Sequence, residues 1–99
     1  MPNWTVTFSR SAGKQYAKLK LSGRKKPNIV DIINLLILDL REQGPYLSTW
    51  PNFDSLGKDE FHCHLKKGRP TFVACWRVIS KSENKVEIYY VGTHEGAPY

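Results

Sequence analysis

The 99-residue chain is poor in cysteine and has no long hydrophobic run. Its two cysteines, Cys63 and Cys75, lie inside strand-like segments, and nothing else in the sequence suggests secretion, so we expect reduced thiols in a cytoplasmic protein. Apolar stretches such as residues 35–38 are far too short to span a membrane. The first ten residues have neither a basic start nor an apolar run. We therefore expect no signal peptide and no membrane partner.

Acidic residues are also scarce. Asp and Glu total 9 against 15 Lys and Arg, which gives a formal net charge of +6. Such an excess on a small surface favours anionic partners, such as nucleic acid, an acidic protein or anionic lipid. The hydrophobic fraction of 40% is typical of a globular domain. We expect one domain over residues 1–99, with a core that forms without metal or disulfide support.

The first half of the chain predicts one strand and two helices. Residues 3–9 alternate between apolar and polar, which indicates a half-buried strand. Apolar residues at helical spacing predict a short amphipathic helix over residues 10–21. A second helix is predicted from an N-cap at Asn28 to the following Gly-Pro stop signal, and its wide apolar arc makes it the main core element. Leu35 and Leu38 lie at the edge of that arc, where we expect them to meet the first helix rather than a partner.

The second half predicts three strands joined by short turns. An irregular connection over residues 45–60 leads to strands at residues 61–65, 71–79 and 85–92. The middle strand has few polar residues on either face, as expected at the centre of a sheet. Helices followed by a run of strands predict an α+β fold. We expect a strand-helix-helix order followed by a three-stranded antiparallel meander. The result is a twisted, mainly antiparallel four-stranded sheet with both helices on one face and the other face partly open.

Several histidines lie where the predicted strands could bring them together. Alternation places His62 and His64 on the same strand face, Arg69 is in the next turn, and His94 follows the last strand, with Tyr99 close behind. If these positions converge, the residue types suit RNA cleavage without a metal. Histidine acts as acid or base near neutral pH, and cations stabilise charge on phosphoryl oxygens. Tyrosine stacks on a base or donates a proton.

Simpler interpretations of the same residues remain open. A pair of exposed strand histidines without a function is at least as common as a catalytic pair. A metal site is disfavoured because alternation places Cys63 opposite both neighbouring histidines. Residues 14–26 contain six cations and no acid, more than solubility requires, which favours a phosphate-facing patch. Arg77 is either an open-face residue or half of an ion pair. The candidate RNA-binding residues are Lys14, Lys18, Arg24, Lys25, Lys26, Lys66, Lys67 and Arg77.

The stretch FHCHLKKGRPTFVACWRVISKSENKVEIYYVGTHEGAPY resembles the C-terminal half of the RelE/ParE toxin superfamily. Within it, the chain resembles RelE-like cytotoxic translational repressors that end in GTHE-x-APY, and the upstream order of elements is similar as well. The resemblance implies a toxin of a type II toxin–antitoxin pair. RelE-like members cut mRNA in the ribosomal A site and leave a cyclic phosphate, without metal or cofactor. The implied partners are an antitoxin, mRNA and the ribosome with its rRNA, with operator DNA bound only through the antitoxin.

The resemblance also implies roles for individual residues. His62 and His64 fall where the family has a basic pair on the second strand. His94 falls where the family has a basic residue after the last strand, and Tyr99 where it has a C-terminal tyrosine. Arg69 is the nearest candidate for the family's arginine, although it lies in the turn.

The chain also departs from the family pattern. Arg77 is the alternative candidate for the catalytic arginine. Histidines stand where RelE itself relies on lysine and arginine, so activity should depend on pH over about 5–8. The superfamily also contains ParE-like toxins that inhibit DNA gyrase by protein binding. These toxins generally lack the acid–base cluster, which favours the nuclease. A catalytically inactive binding module is the third alternative.

Overall fold

A computed structural model describes residues 3–21 and 27–99 of the chain. The elements follow the predicted strand-helix-helix order and then the strands, so the α+β class is confirmed. The first helix has the predicted bounds, and the second begins at Pro27, before the predicted N-cap. The elements are β1 (Thr5–Phe8), α1 (Arg10–Leu21), α2 (Pro27–Gln43), β2 (Asp54–Gly57), β3 (Glu60–Lys66), β4 (Phe72–Ser80), β5 (Lys85–Thr93) and a terminal 3₁₀ turn (His94–Gly96).

The sheet has five strands in the order β1-β5-β4-β3-β2, one more than predicted. The meander is antiparallel as predicted, β4 lies at the centre, and β1 pairs with β5 in parallel. The additional strand, β2, forms the edge beside β3 within the segment predicted to be irregular. This strand, DSLG, is only four residues long, and its pairing with β3 contains a bulge. So short a segment does not show the alternation of apolar and polar residues that indicates a strand.

Both helices pack on one face of the sheet around a single core, as predicted. Trp76 lies at its centre, fully buried, and its indole Nε1–H donates to the carbonyl of Pro45 at 3.0 Å. The fully buried residues shared between α2 and the strands include Ile33, Leu36, Leu40, Ala74, Val86 and Ile88.

The prediction that Leu35 and Leu38 meet α1 is wrong. Their exposed fractions are 52% and 51%. Helix α1 approaches α2 on its Asn34 side, where the Tyr16 hydroxyl donates to Asn34 Oδ1 at 2.5 Å. The two leucines are therefore left facing solvent.

The other face of the sheet carries the polar side chains. On β3, Phe61 and Cys63 point into the core, whereas His62 and His64 point away from the helices. No helix within residues 3–21 and 27–99 is both long enough and apolar enough to cross a membrane.

Candidate active site

Four aromatic side chains gather at one end of the open face of the sheet. The ring of His62 stacks on that of Tyr99 with centroids 4.5 Å apart. The His62 and His64 centroids lie 6.3 Å apart, and those of His64 and His94 lie 5.5 Å apart. The ring of His94 meets that of Tyr99 edge-on, with centroids 5.8 Å apart, so each of the four rings neighbours two of the others. The structure therefore brings together His62, His64, His94 and Tyr99 (the ring cluster below), although they come from β3 and from the residues after β5.

Register across three strands explains this convergence. His64 on β3 lies opposite Val73 on β4, and Val73 lies opposite Gly92 on β5. Paired residues share a face of the sheet, so the last turn of the chain emerges beside His64. The His94 amide donates to the carbonyl of Thr71 at 2.8 Å, which fixes that turn against the start of β4.

Tyr90 holds the terminal turn in place. Its hydroxyl donates to the carbonyl of Thr93 at 2.7 Å, directly before His94. A Cβ atom at either Gly92 or Gly96 would lie 2.8 Å from the Tyr90 hydroxyl oxygen. A side chain at either glycine of GTHEG would therefore have to displace the Tyr90 ring, which passes close to the backbone.

A cleft of about 600 Å³ opens beside the ring cluster. Its walls are the β3–β4 turn and the terminal 3₁₀ turn. Arg69, the first candidate for the catalytic arginine, lines it together with His64 and His94, and Glu95 adds a carboxylate at the rim. His62 does not line the cleft, since it lies under Tyr99. Two imidazoles and a guanidinium thus face one solvent-open space.

The surroundings of His64 favour its neutral form. Partial burial lowers the pKa of His64 below its ordinary value of 6.5, and the nearby His94, His62 and Lys67 lower it further. Its Nδ1 atom is shielded from solvent and has no hydrogen-bond partner among the described residues. That nitrogen lacks a partner whether it donates or accepts, so the unpaired atom does not by itself select a tautomer. Nε2 can act as a base in the cleft in the tautomer that carries the ring proton on Nδ1.

The pKa of His62 is also lowered, although one neighbouring group acts in the opposite direction. Burial lowers the pKa of His62, and His94 lowers it further, whereas the carboxylate of Asp54 raises it. Asp54 lies directly opposite His62 in the pairing of β2 with β3. Burial also raises the pKa of Tyr99, so its phenol keeps its proton near neutral pH. Tyr99 remains 48% exposed and presents its ring to solvent.

The alternative arginine, Arg77, lies outside the ring cluster. It is five residues beyond Phe72 on β4, about 16 Å along the strand. Its guanidinium pairs with Glu87 at 2.8 Å and covers the ring of Tyr89 at 4.8 Å from the centroid. Arg77 is thus half of an ion pair, one of the two predicted alternatives, and does not face the cleft.

The predicted basic positions divide between the two sides of the sheet. Lys66 and Lys67 are exposed and border the β3–β4 turn beside the cleft. Lys14 and Lys18 belong to α1, on the face opposite the histidines, and neither lines the cleft. The predictions for Arg24, Lys25 and Lys26 fall outside the described residues.

The two cysteines have no chemical role that the geometry supports. Both are free and fully buried, and burial is the main cause that raises the pKa of each thiol to about 12. Cys63 points into the core, and Cys75 lies opposite His62 beneath the ring cluster. In residues 3–21 and 27–99, no group of three or more His, Cys, Asp or Glu side chains is arranged to hold a metal ion.

Some positions that shape the site were not found from the sequence. Asp54 was missed because β2 was not predicted. Tyr90, Gly92 and Gly96 were missed as a unit, although the Gly-x₃-Gly spacing around His94 was a usable signal for a close backbone approach.

Comparison with known proteins gives the fold independently. No family model and no curated protein matches the chain. Among solved structures, the YoeB dimer from Staphylococcus aureus is 17% identical, with a TM-score of 0.70, over 93% of this chain and 98% of that one. The heterotetrameric YoeB–YefM toxin–antitoxin complex from Staphylococcus aureus is 18% identical, with a TM-score of 0.63, over 92% and 97%. At this identity the likeness shows the fold alone, and the fold that the sequence resemblance implied is confirmed.

Proposed function

We propose that this chain is the toxin of a toxin–antitoxin pair and an endoribonuclease that cleaves mRNA on the ribosome without a metal ion. The observation that supports the chemistry most is the meeting of His64, His94 and Arg69 in one open cleft, with ring centroids of the two histidines 5.5 Å apart. Two imidazoles at this separation can reach opposite sides of one phosphodiester. The RelE-like fold and the basic charge support the same proposal.

His64 is the proposed general base. Its lowered pKa keeps the ring neutral near pH 7, and in the tautomer that carries the ring proton on Nδ1 the free Nε2 accepts the proton of the ribose 2′-hydroxyl. The 2′-oxygen then attacks phosphorus and the bond to the 5′-oxygen breaks, which leaves a 2′,3′-cyclic phosphate. The burial and cationic neighbours that disfavour the charged ring also limit how long it keeps the proton.

His94 is the proposed general acid, and Arg69 stabilises the developing charge. His94 is exposed at the opposite wall of the cleft, where its imidazolium can protonate the leaving 5′-oxygen. The guanidinium of Arg69 presents fixed donors to the phosphoryl oxygens, whose negative charge grows in the transition state. Arg69 lies in the turn between β3 and β4 and lines the same cleft as the two histidines.

His62 and Tyr99 have supporting roles in this proposal. The stacked pair forms one side of the ring cluster, and Tyr99 contacts His94 edge-on. Tyr99 offers an exposed aromatic surface on which a base beside the cleaved bond can stack. His62 supports the tyrosine ring from below.

The proposed partners follow from the same fold and charge. One of the similar structures is a complex of a toxin with its antitoxin, and we infer an antitoxin that neutralises this chain in the cytoplasm. A net charge of +6 favours an acidic partner. The same charge favours binding to mRNA and rRNA.

A cell-free translation assay tests the proposal. The chain should stop translation and leave truncated mRNA, while a His94→Gln variant with unchanged melting temperature should leave the mRNA intact. Lys81→Gln, which neutralises an exposed lysine at the other end of the sheet, serves as the matched control and should cleave normally. Intact mRNA together with blocked DNA supercoiling would instead identify a gyrase inhibitor. Absence of both effects would identify an inactive binding module.

A further inference from the structure

A second, smaller cleft lies on the other side of the β3–β4 turn. Its volume is about 280 Å³, and it is bounded by that turn and by the first turn of α2. Gly68, Arg69 and Pro70 line both clefts, so the turn is a shared wall between them. The second cleft plays no part in the reaction proposed above.

The second cleft combines a cationic rim with an apolar floor. Lys66, Lys67 and Arg69 form the rim, and no acidic residue of the described chain lines it. None of the three forms an ion pair with another described residue. The floor is made by Ile29 and Phe72, which are 1% and 6% exposed. Three neighbouring cations without acidic partners repel one another, so an anion bound there would relieve that repulsion.

The rest of the open face is unsuited to a phosphate backbone. Beyond the ring cluster, Asp54 lies opposite His62, and Glu60 and Glu87 flank β4. Glu87 already neutralises Arg77, and Glu60 accepts a hydrogen bond from the Tyr89 hydroxyl at 3.0 Å. A strand of RNA lying along this face would place its phosphates against carboxylates.

We propose that the second cleft binds the phosphodiester next to the scissile one, so that the RNA strand crosses the β3–β4 turn instead of following the open face. The identity of the ligand as RNA rests on the proposed function. Arg69 lines both clefts and would lie between two successive phosphates of the same strand. An acidic protein segment is the other anion that this chemistry admits. The small volume and the shared wall favour consecutive phosphates of one strand.

Binding of an uncleavable RNA tests this path. The probe is a short, fluorescently labelled RNA with 2′-O-methyl groups, in which each phosphodiester in turn is replaced by a neutral methylphosphonate. Anisotropy gives its affinity for the parent chain and for Lys66→Gln/Lys67→Gln over a series of salt concentrations. The matched control is Lys81→Gln/Lys85→Gln, which removes the same charge from exposed lysines paired with Asp59 and Glu83.

We expect the effect of neutralising one particular phosphodiester on RNA affinity to depend on the presence of Lys66 and Lys67. Lys66→Gln/Lys67→Gln should lower affinity by up to about fivefold for each lysine that binds a phosphate. It should also reduce the salt slope by about 0.7 for each phosphate that the variant no longer neutralises, beyond the change in the control. One methylphosphonate should weaken binding of the parent chain but not of this variant.

Any of the following outcomes would overturn the proposal. The first is that the two double variants have the same RNA affinity and the same salt dependence. The second is that every methylphosphonate weakens binding of the parent chain and of Lys66→Gln/Lys67→Gln equally. The same conclusion follows if the parent chain does not bind the RNA even at low salt. The third is a variant that loses binding of a poly-glutamate peptide while RNA binding is unchanged, which would assign the cleft to an acidic protein. Linkage coupling without mRNA cleavage in translation would refute the nuclease and leave only phosphodiester binding in the second cleft. Cleavage without linkage coupling would refute this inference and leave the nuclease standing.

Discussion

Replacement of Gly92 by alanine should displace Tyr90 and, with it, the turn that carries His94. The new Cβ would lie 2.8 Å from the Tyr90 hydroxyl oxygen, closer than Cβ atoms approach in practice, and 3.0 Å from Cζ, a tight contact. The ring can swing outward because Tyr90 is only half-buried, but it then loses its hydrogen bond to the Thr93 carbonyl. The broken bond costs about 1 kcal/mol, and the shifted packing costs about 1 kcal/mol more.

Thermal unfolding and cleavage measure the two consequences separately. For a domain of this size, a total of about 2 kcal/mol lowers Tm by about 10 °C. Displacement of His94 by about 1 Å should lower the cleavage rate about 100-fold, because the proton transfer depends on position. Gly96→Ala should cost less, since its Cβ would meet chiefly the tyrosine hydroxyl, the end of that side chain.

A double-mutant cycle with Tyr90→Phe tests whether the close approach of the Tyr90 hydroxyl causes these losses. Tyr90→Phe removes the hydroxyl that would clash with the new methyl group, and it also removes the hydrogen bond to Thr93. Gly92→Ala should therefore lower the free energy of unfolding by less in the Tyr90→Phe background. The double variant should therefore be more stable than the sum of the single effects predicts, by about 0.5 kcal/mol or more. Strictly additive effects, or an unchanged Tm with full activity in Gly92→Ala, would show that the close approach of Tyr90 does not hold the turn.

Three further predictions concern charge at the site. The lowered pKa values of His62 and His64 mean that the unfolded chain binds more protons, so stability should fall as pH drops through and below about 6.5. Urea unfolding should show a flatter pH dependence when both are glutamine, and an equally steep one would contradict this. Arg69→Gln should lower the cleavage rate about 100-fold without changing Tm. Arg77→Gln should leave the cleavage rate unchanged and lower the free energy of unfolding by at most about 1 kcal/mol. The opposite pattern would show that Arg77, and not Arg69, is the catalytic arginine. NMR titration should show a higher pKa for His62 in Tyr99→Ala than in Tyr99→Phe, because only phenylalanine preserves the stack, and equal values would argue against shielding by the ring.

Local patterns in the sequence were sufficient for much of the fold. The apolar spacing of α1 gave its bounds, and alternation along β3 correctly placed His62 and His64 on the face away from Cys63. Both inferences depend on residues close together in the chain. The short edge strand β2 has no such pattern, since it exists through its pairing with β3, and it was missed.

Convergence of the candidate site could not be derived from local patterns. His94 approaches His64 because β5 pairs with β4 in a register that sets Gly92 opposite Val73. That register includes a bulge between Cys75 and Trp76, which no local pattern indicates. The exposure of Leu35 was mispredicted for a similar reason, because the approach of α1 is set by tertiary packing.

Cleavage on ribosomes programmed with a synthetic mRNA shows whether His64 and His94 act together on one phosphodiester. Single-turnover rates are measured for the parent chain, His64→Gln, His94→Gln and Lys81→Gln. We expect a 2′,3′-cyclic phosphate on the upstream product, a loss of about 100-fold or more in each histidine variant, and a normal rate in the lysine control. Intact mRNA with the folded parent chain, or cleavage at the parental rate in both histidine variants, would contradict this expectation.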